Sequence, residues 1–244
     1  MLKKTLILLL FICYPAWGFK LTQDFTKGFY WASLPISITV MDNDASRKSL
    51  LTQLSRDAIG EWEARTGLSL WSLNETGSSN VIRWSSKFTE ETQMDPMSVL
   101  AVAIRHTNGP YFAKTEIVIN GTHPLNKDIS HLLTTITHEL GHTMGLDHSE
   151  VGFAVMAPTL QDPYRGLHND DIEGMRHVHS ETEHRQVTSY VSPLAYEKVE
   201  TKQPLSCATV TTAAAPSANG ALSLGLGLLI GFIRKIWRKF KSLF

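Results

Sequence analysis

The sequence predicts an α+β domain, a twisted mixed sheet of about five strands with three helices. Short β-branched runs crowd the first half of the chain. Apolar residues recur at helical spacing in three separate stretches, and the middle one carries a cluster of histidines. No internal repeat breaks the pattern into a solenoid.

The elements follow in order. PISITV (35–40) is rich in β-branched residues and reads as a strand. Asp44 or Ser46 can cap a helix whose apolar positions Leu51, Leu54, Ala58 and Trp62 share a face, ending near Thr66-Gly67. A short strand follows at 68–73, and NETGSSN is rich in turn formers. NVIRW (80–84), SVLAVAI (98–104) and TEIVIN (115–120) are further strands. Asp128 or Ser130 opens a helix through about 144, with Ile129, Leu132, Leu133, Ile136 and Leu140 as its apolar stripe. A last helix is expected over 169–179, with Ile172, Met175 and Val178 on one face.

Bulk properties bound the function. With 23 basic and 23 acidic residues the chain lacks the basic excess of a nucleic-acid binder. At the N-terminus two lysines precede the apolar run Leu6–Cys13, and Ala16 and Gly18 put small residues at −3 and −1 of a cleavage site. Residues 1–18 therefore read as a secretory signal peptide, with a buried N-terminal helix as the alternative. Ile12 before Cys13 is too bulky for a lipoprotein signal. Removing Cys13 leaves Cys207 alone, so no intramolecular disulfide is expected.

The domain is expected over 19–185 and a linker over 186–220. Residues 221–244 then form an apolar segment with a tail of five basic residues. That tail fits either a membrane anchor, with the body of the protein outside, or a sorting signal removed during export. The site of action is then extracellular, periplasmic or at the cell surface. A monomer is the expectation.

HELGHTMGLDHS (138–149) carries the chemistry. His138 and His142 are four apart, so on a helix they project from one face and can bind one tetrahedral zinc. Glu139 lies beside that metal as general base rather than ligand. His148 cannot reach it from the same straight helix. Gly145 resolves this by taking a left-handed conformation, ending the helix and turning the chain back. Three imidazoles leave one position open, the catalytic form of a zinc site. A bare HExxH arises by chance in roughly one of several tens of chains of this size, and the added glycine and histidine lower that roughly a few hundredfold. The other histidines match no ligand spacing, and His177 and His179 read as a solvated helix face.

This stretch resembles the HExxHxxGxxH signature of metzincin metalloproteases, and Ser149 is similar to the matrixin branch. FAVMAP supplies Met156 where matrixins have a methionine turn, an apolar floor under the ligands. Pro158-Thr159-Leu160 falls where the family builds the wall of a substrate pocket, and LHNDDIEGM (167–175) is similar to the start of its last helix. AIGEWEARTGLSL (58–70) resembles its first helix and second strand. The resemblance covers roughly 33 to 180. It implies a metzincin-like catalytic domain with zinc in a cleft between upper and lower subdomains, acting on peptide or protein substrates. It also implies that the edge strand pairs with substrate, making the backbone of Leu100, Ala101 and Val102 substrate contacts.

Departures are visible too. No PRCGxPD cysteine switch occurs, and the histidines and aspartates that bind structural zinc and calcium in animal matrixins are missing around 85–120. Val102 stands where one such histidine would align, and Leu160 replaces a common aromatic. The expected function is a secreted or surface-anchored zinc endopeptidase. A zinc-stabilised binding module without catalysis and a zinc hydrolase of non-protein substrates remain as alternatives.

Overall fold

A computed structural model describes residues 18–159, 165–194 and 207–209. In chain order the elements are β1 (Lys20–Leu21), α1 (Gln23–Thr26), β2 (Tyr30–Trp31), β3 (Ile36–Met41), α2 (Ala45–Thr66), β4 (Trp71–Asn74), β5 (Val81–Ser85), α3 (Phe88–Thr92), β6 (Val99–Asn108) and β7 (Tyr111–Asn120). A 3-10 turn (Pro124–Lys127) then leads to α4 (Ile129–Met144), β8 (Leu146–Asp147), α5 (Asn169–Thr188) and β9 (Cys207–Thr209).

The main sheet runs in the order β4-β3-β5-β7-β6-β9, and β2 also pairs with β7. Pairing is parallel from β4 through β7, whereas β6 is antiparallel to both its neighbours. The expected mixed sheet and its three long helices, α2, α4 and α5, are therefore present. Strands β6 and β7 extend beyond their apolar runs into a hairpin turned at Gly109 (φ +57). The extra residues His106–Asn108 and Tyr111 are mostly exposed and polar, so they carry no apolar run to be read.

Local chemistry explains where the helices stop. Asp44 and Asp128 accept the N–H of Arg47 and His131, capping α2 and α4. Gly67, at φ +76, ends α2 in the left-handed region. The α5 helix runs to Thr188, well past the expected 179. Its polar second half is held by long-range contacts: the Arg185 guanidinium donates to the Phe25 and Phe29 carbonyls, and Gln186 donates to that of Trp31.

Helix α4, which carries His138 and His142, is buried along most of its length. Every residue of α4 from Thr134 to Met144 is buried. Its threonines add no unsatisfied hydroxyls, because Thr134, Thr135 and Thr137 donate to carbonyls four residues back and Thr143 to one three back. Three indoles brace the helix from outside: Trp62 donates to the Thr137 carbonyl, Trp31 to the Thr143 carbonyl and Trp71 to the Thr143 hydroxyl. Such buried Trp side chains each contribute about 3–5 kcal/mol. Among the described residues no helix is long and apolar enough to cross a membrane. The expected signal segment before Gly18 and the apolar tail at 221–244 lie outside them.

Candidate metal centre

Gly145 ends α4 at φ +125. This is a correction to the sequence expectation, since its ψ of 6 and wide φ lie outside the left-handed helical well. Only glycine tolerates the conformation, and a Cβ there would meet the Phe25 ring at 2.7 Å. The turn works as expected nonetheless: the chain reverses through β8 and returns His148 to α4. The ring centroids of His138, His142 and His148 lie 4.6, 5.3 and 5.1 Å apart, pair by pair.

Tautomers follow from the hydrogen bonds. His138 Nδ1 is 2.7 Å from the Val155 carbonyl and His142 Nδ1 is 2.7 Å from that of Leu146. A carbonyl only accepts, so each Nδ1 must carry the proton. Burial holds His138 down to about 3 and His142 well below the ordinary imidazole value, so both rings are neutral. Each Nε2 is therefore an unprotonated acceptor, and the two face each other at 2.9 Å. Two acceptors at that distance repel unless a cation sits between them. One nitrogen from each of the three histidines lies within 4.8 Å of the others, and among the described residues this is the group that could hold a metal. A donor set of three imidazoles suits zinc.

Glu139 shares the helix and is fully buried. Burying a carboxylate costs several kcal/mol, which an adjacent divalent cation offsets. Met156 is buried as well, and its sulfur packs so closely on α4 that a Cβ on Gly141 would lie 2.4 Å from it. The loop carrying it is pinned at both ends. Ser149 N–H donates to the Met156 carbonyl, and Val155 N–H and Met156 N–H donate to the Asp171 carboxylate.

Asp170 and Asp171, in the first turn of α5, do more than complement the helix dipole. Burial pushes the Asp171 carboxyl up, opposed by backbone N–H groups of Met156, Val155 and His168. Asp170 accepts the N–H groups of Gly18 and Phe19 through one oxygen and the Ser149 hydroxyl through the other. Arg105 also escapes sequence reasoning. It is buried, donates to the His142 carbonyl and bridges to Thr22 and Asp24. The only sequence signal would have been an arginine directly after the apolar run 98–104.

Leu100, Ala101 and Val102 are buried on β6, and the Leu100 carbonyl accepts an N–H of the Asn126 side chain. Val102 packs with Phe88, Val99 and Val118 in a second apolar cluster, which leaves an alkyl side chain at the position aligned with a structural metal ligand. Pro158 is exposed and Thr159 half-buried after the Met156 loop, while Leu160 lies outside the described residues. His177 is exposed and His179 half-buried beside Glu183, as expected of a helix face.

A buried HExxH helix, a glycine-turned third histidine and a methionine floor define the metzincin class of zinc protein. Sequence comparison narrows the class. Residues 30–180 match the family described as Matrixin, peptidase family M10, and the chain belongs to that family. It is 30% identical over 152 residues to the "Hatching enzyme" of Paracentrotus lividus, covering 59% of this chain and 24% of that protein. Identity to "Metalloendoproteinase 2-MMP" of Arabidopsis thaliana is 26% over 133 residues, 50% of this chain and 35% of that one. With "Matrix metalloproteinase-19" of Mus musculus it is 29% over 137 residues, 55% and 24%. The chain thus spans between 24% and 35% of the length of these three relatives.

Proposed function

We propose that this protein is a zinc-dependent endopeptidase, with His138, His142 and His148 as metal ligands and Glu139 as general base. The observation that carries the reading is the pair of Nε2 lone pairs facing at 2.9 Å on the helix that also bears a buried Glu139. Zinc in such a site supplies Lewis-acid polarisation of the scissile carbonyl and brings the pKa of water toward neutrality.

The chain's own residues supply the rest. Glu139 takes the proton of the attacking water and delivers it to the leaving amine. The carbonyls of Val155 and Leu146 fix the imidazole tautomers, so the ligands need no rearrangement to bind metal. Met156 floors the site. An extended substrate pairs its backbone with β6 at Leu100, Ala101 and Val102, and Pro158, Thr159 and Leu160 wall its side-chain pocket. Export through residues 1–18 and retention or sorting through 221–244 complete the proposal, which places the enzyme outside the cytoplasm.

Zinc analysis of the purified chain combined with a screen against a mixed peptide library tests this reading. One zinc per chain with peptide cleavage is expected. Zinc without cleavage would leave a metal-stabilised binding module.

A further inference from the structure

The outer edge of β6 already carries a strand. On its inner side β6 pairs with β7 from Ala101 to Asn108. On its outer side Val99, Ala101 and Val102 pair antiparallel with Thr209, Ala208 and Cys207. Strand β9 lies against α4 as well as β6, so it runs beside the helix that bears His138 and His142. An edge strand offers one row of N–H and C=O groups and can accept one extended segment at a time.

We propose that Cys207–Thr209 is an intramolecular occupant of the peptide-binding edge, a pseudosubstrate strand that must leave β6 before substrate can pair there. The inference rests on the reading above that substrate backbone docks on Leu100, Ala101 and Val102. The mode is β-strand addition, in which main-chain hydrogen bonds give affinity and need no particular side chain. Composition suits it. Neither Val99–Ile104 nor the stretch Pro204–Ile233 that contains β9 carries a charge, so no like charges oppose the pairing. Tethering makes up for the shortness of the pairing, because a segment on the same chain acts at an effective concentration on the order of millimolar. The consequence is a resting chain whose groove is mostly filled. A groove about nine-tenths filled weakens apparent substrate binding about tenfold without touching the chemical step.

The test uses the full chain carrying Ala208→Pro and Thr209→Pro together. Successive N–H groups of a strand point to opposite sides, so one of the two prolines removes a donor facing β6. A second variant, Ala208→Val with Thr209→Val, keeps both donors and serves as control. Hydrolysis of a fluorogenic peptide and amide hydrogen exchange at residues 99–102 are followed in all three proteins. The expected result is a KM about tenfold lower in the proline variant, with kcat unchanged and exchange at 99–102 faster. The valine variant behaves as the parent. Unchanged exchange, or faster exchange with unchanged KM, overturns the inference, as does self-cleavage within 207–209 seen by intact mass. Turnover absent from all three zinc-loaded proteins refutes the endopeptidase reading instead, and faster exchange in the proline variant would still assign the segment to the edge.

Discussion

Asp171 and His138 are joined through a single residue: Asp171 accepts the Val155 N–H at 2.8 Å, and the Val155 carbonyl accepts His138 Nδ1–H at 2.7 Å. A carboxylate on α5 thereby orients an imidazole on α4, and the same carboxylate holds the Met156 and His168 N–H groups. His138, the Met156 loop and the last helix form one hydrogen-bonded unit.

Asp171→Asn tests that unit. An amide presents one oxygen and one NH2 to a ring of N–H donors, so one donor faces another. Metal affinity is expected to fall about 10–100-fold, with a stability loss of about 1–3 kcal/mol from the unsatisfied N–H. Chelator competition and chemical denaturation read the two effects.

Gly141→Ala tests the floor. The added methyl would lie 2.4 Å from the Met156 sulfur and 3.3 Å from the Trp62 ring. Overpacking of this kind costs about 1–3 kcal/mol. In a Met156→Ala background most of that cost should vanish, and a double-mutant cycle by denaturation measures the coupling.

Arg105→Met removes the charge that ties the end of α4 to the N-terminal segment. The Asp24 ion pair and the Thr22 and His142 contacts all go with it. Losing one partner of a buried pair costs about 3–5 kcal/mol. Asp24 retains some solvent exposure, so the lower end of that range is expected in the denaturation midpoint.

Acid should weaken the metal-free fold. Unfolded, His138 takes up a proton near its ordinary 6.5, whereas burial in the folded chain holds it to about 3. Between those values the unfolded state binds more protons, so stability is full above 6.5 and falls as pH drops toward 3. His142 shifts in the same direction, also chiefly through burial. After chelation, Tm should fall from pH 7 to pH 5, and by less in His138→Gln with His142→Gln. A flat wild-type profile would contradict the burial of neutral imidazoles.

Legibility in the sequence tracked the range of the interactions. Asp128, Gly145 and the four-residue spacing of His138 and His142 act locally, so the ligand helix and its turn could be read directly, Gly145 differing only in its backbone well. The sheet strands showed wherever both faces are buried, as at Val99–Ala103. The N-terminal pieces from Lys20 to Trp31 were invisible, although Phe25, Phe29, Tyr30 and Trp31 are all buried. Elements of two to four residues are too short to show a period. Asp170, Asp171 and Arg105 support the site through partners between 15 and 152 positions away, and no local pattern encodes such pairings.

In the proposed reaction a buried carboxylate, Glu139, beside three imidazoles that could hold a metal performs proton transfer in peptide hydrolysis. Glu139→Gln preserves shape and removes the base. Zinc content and peptide turnover measured on one preparation each of wild type and Glu139→Gln give the most direct test. Equal zinc with turnover lowered by at least about 10²-fold is predicted. Equal zinc with undiminished turnover would contradict it.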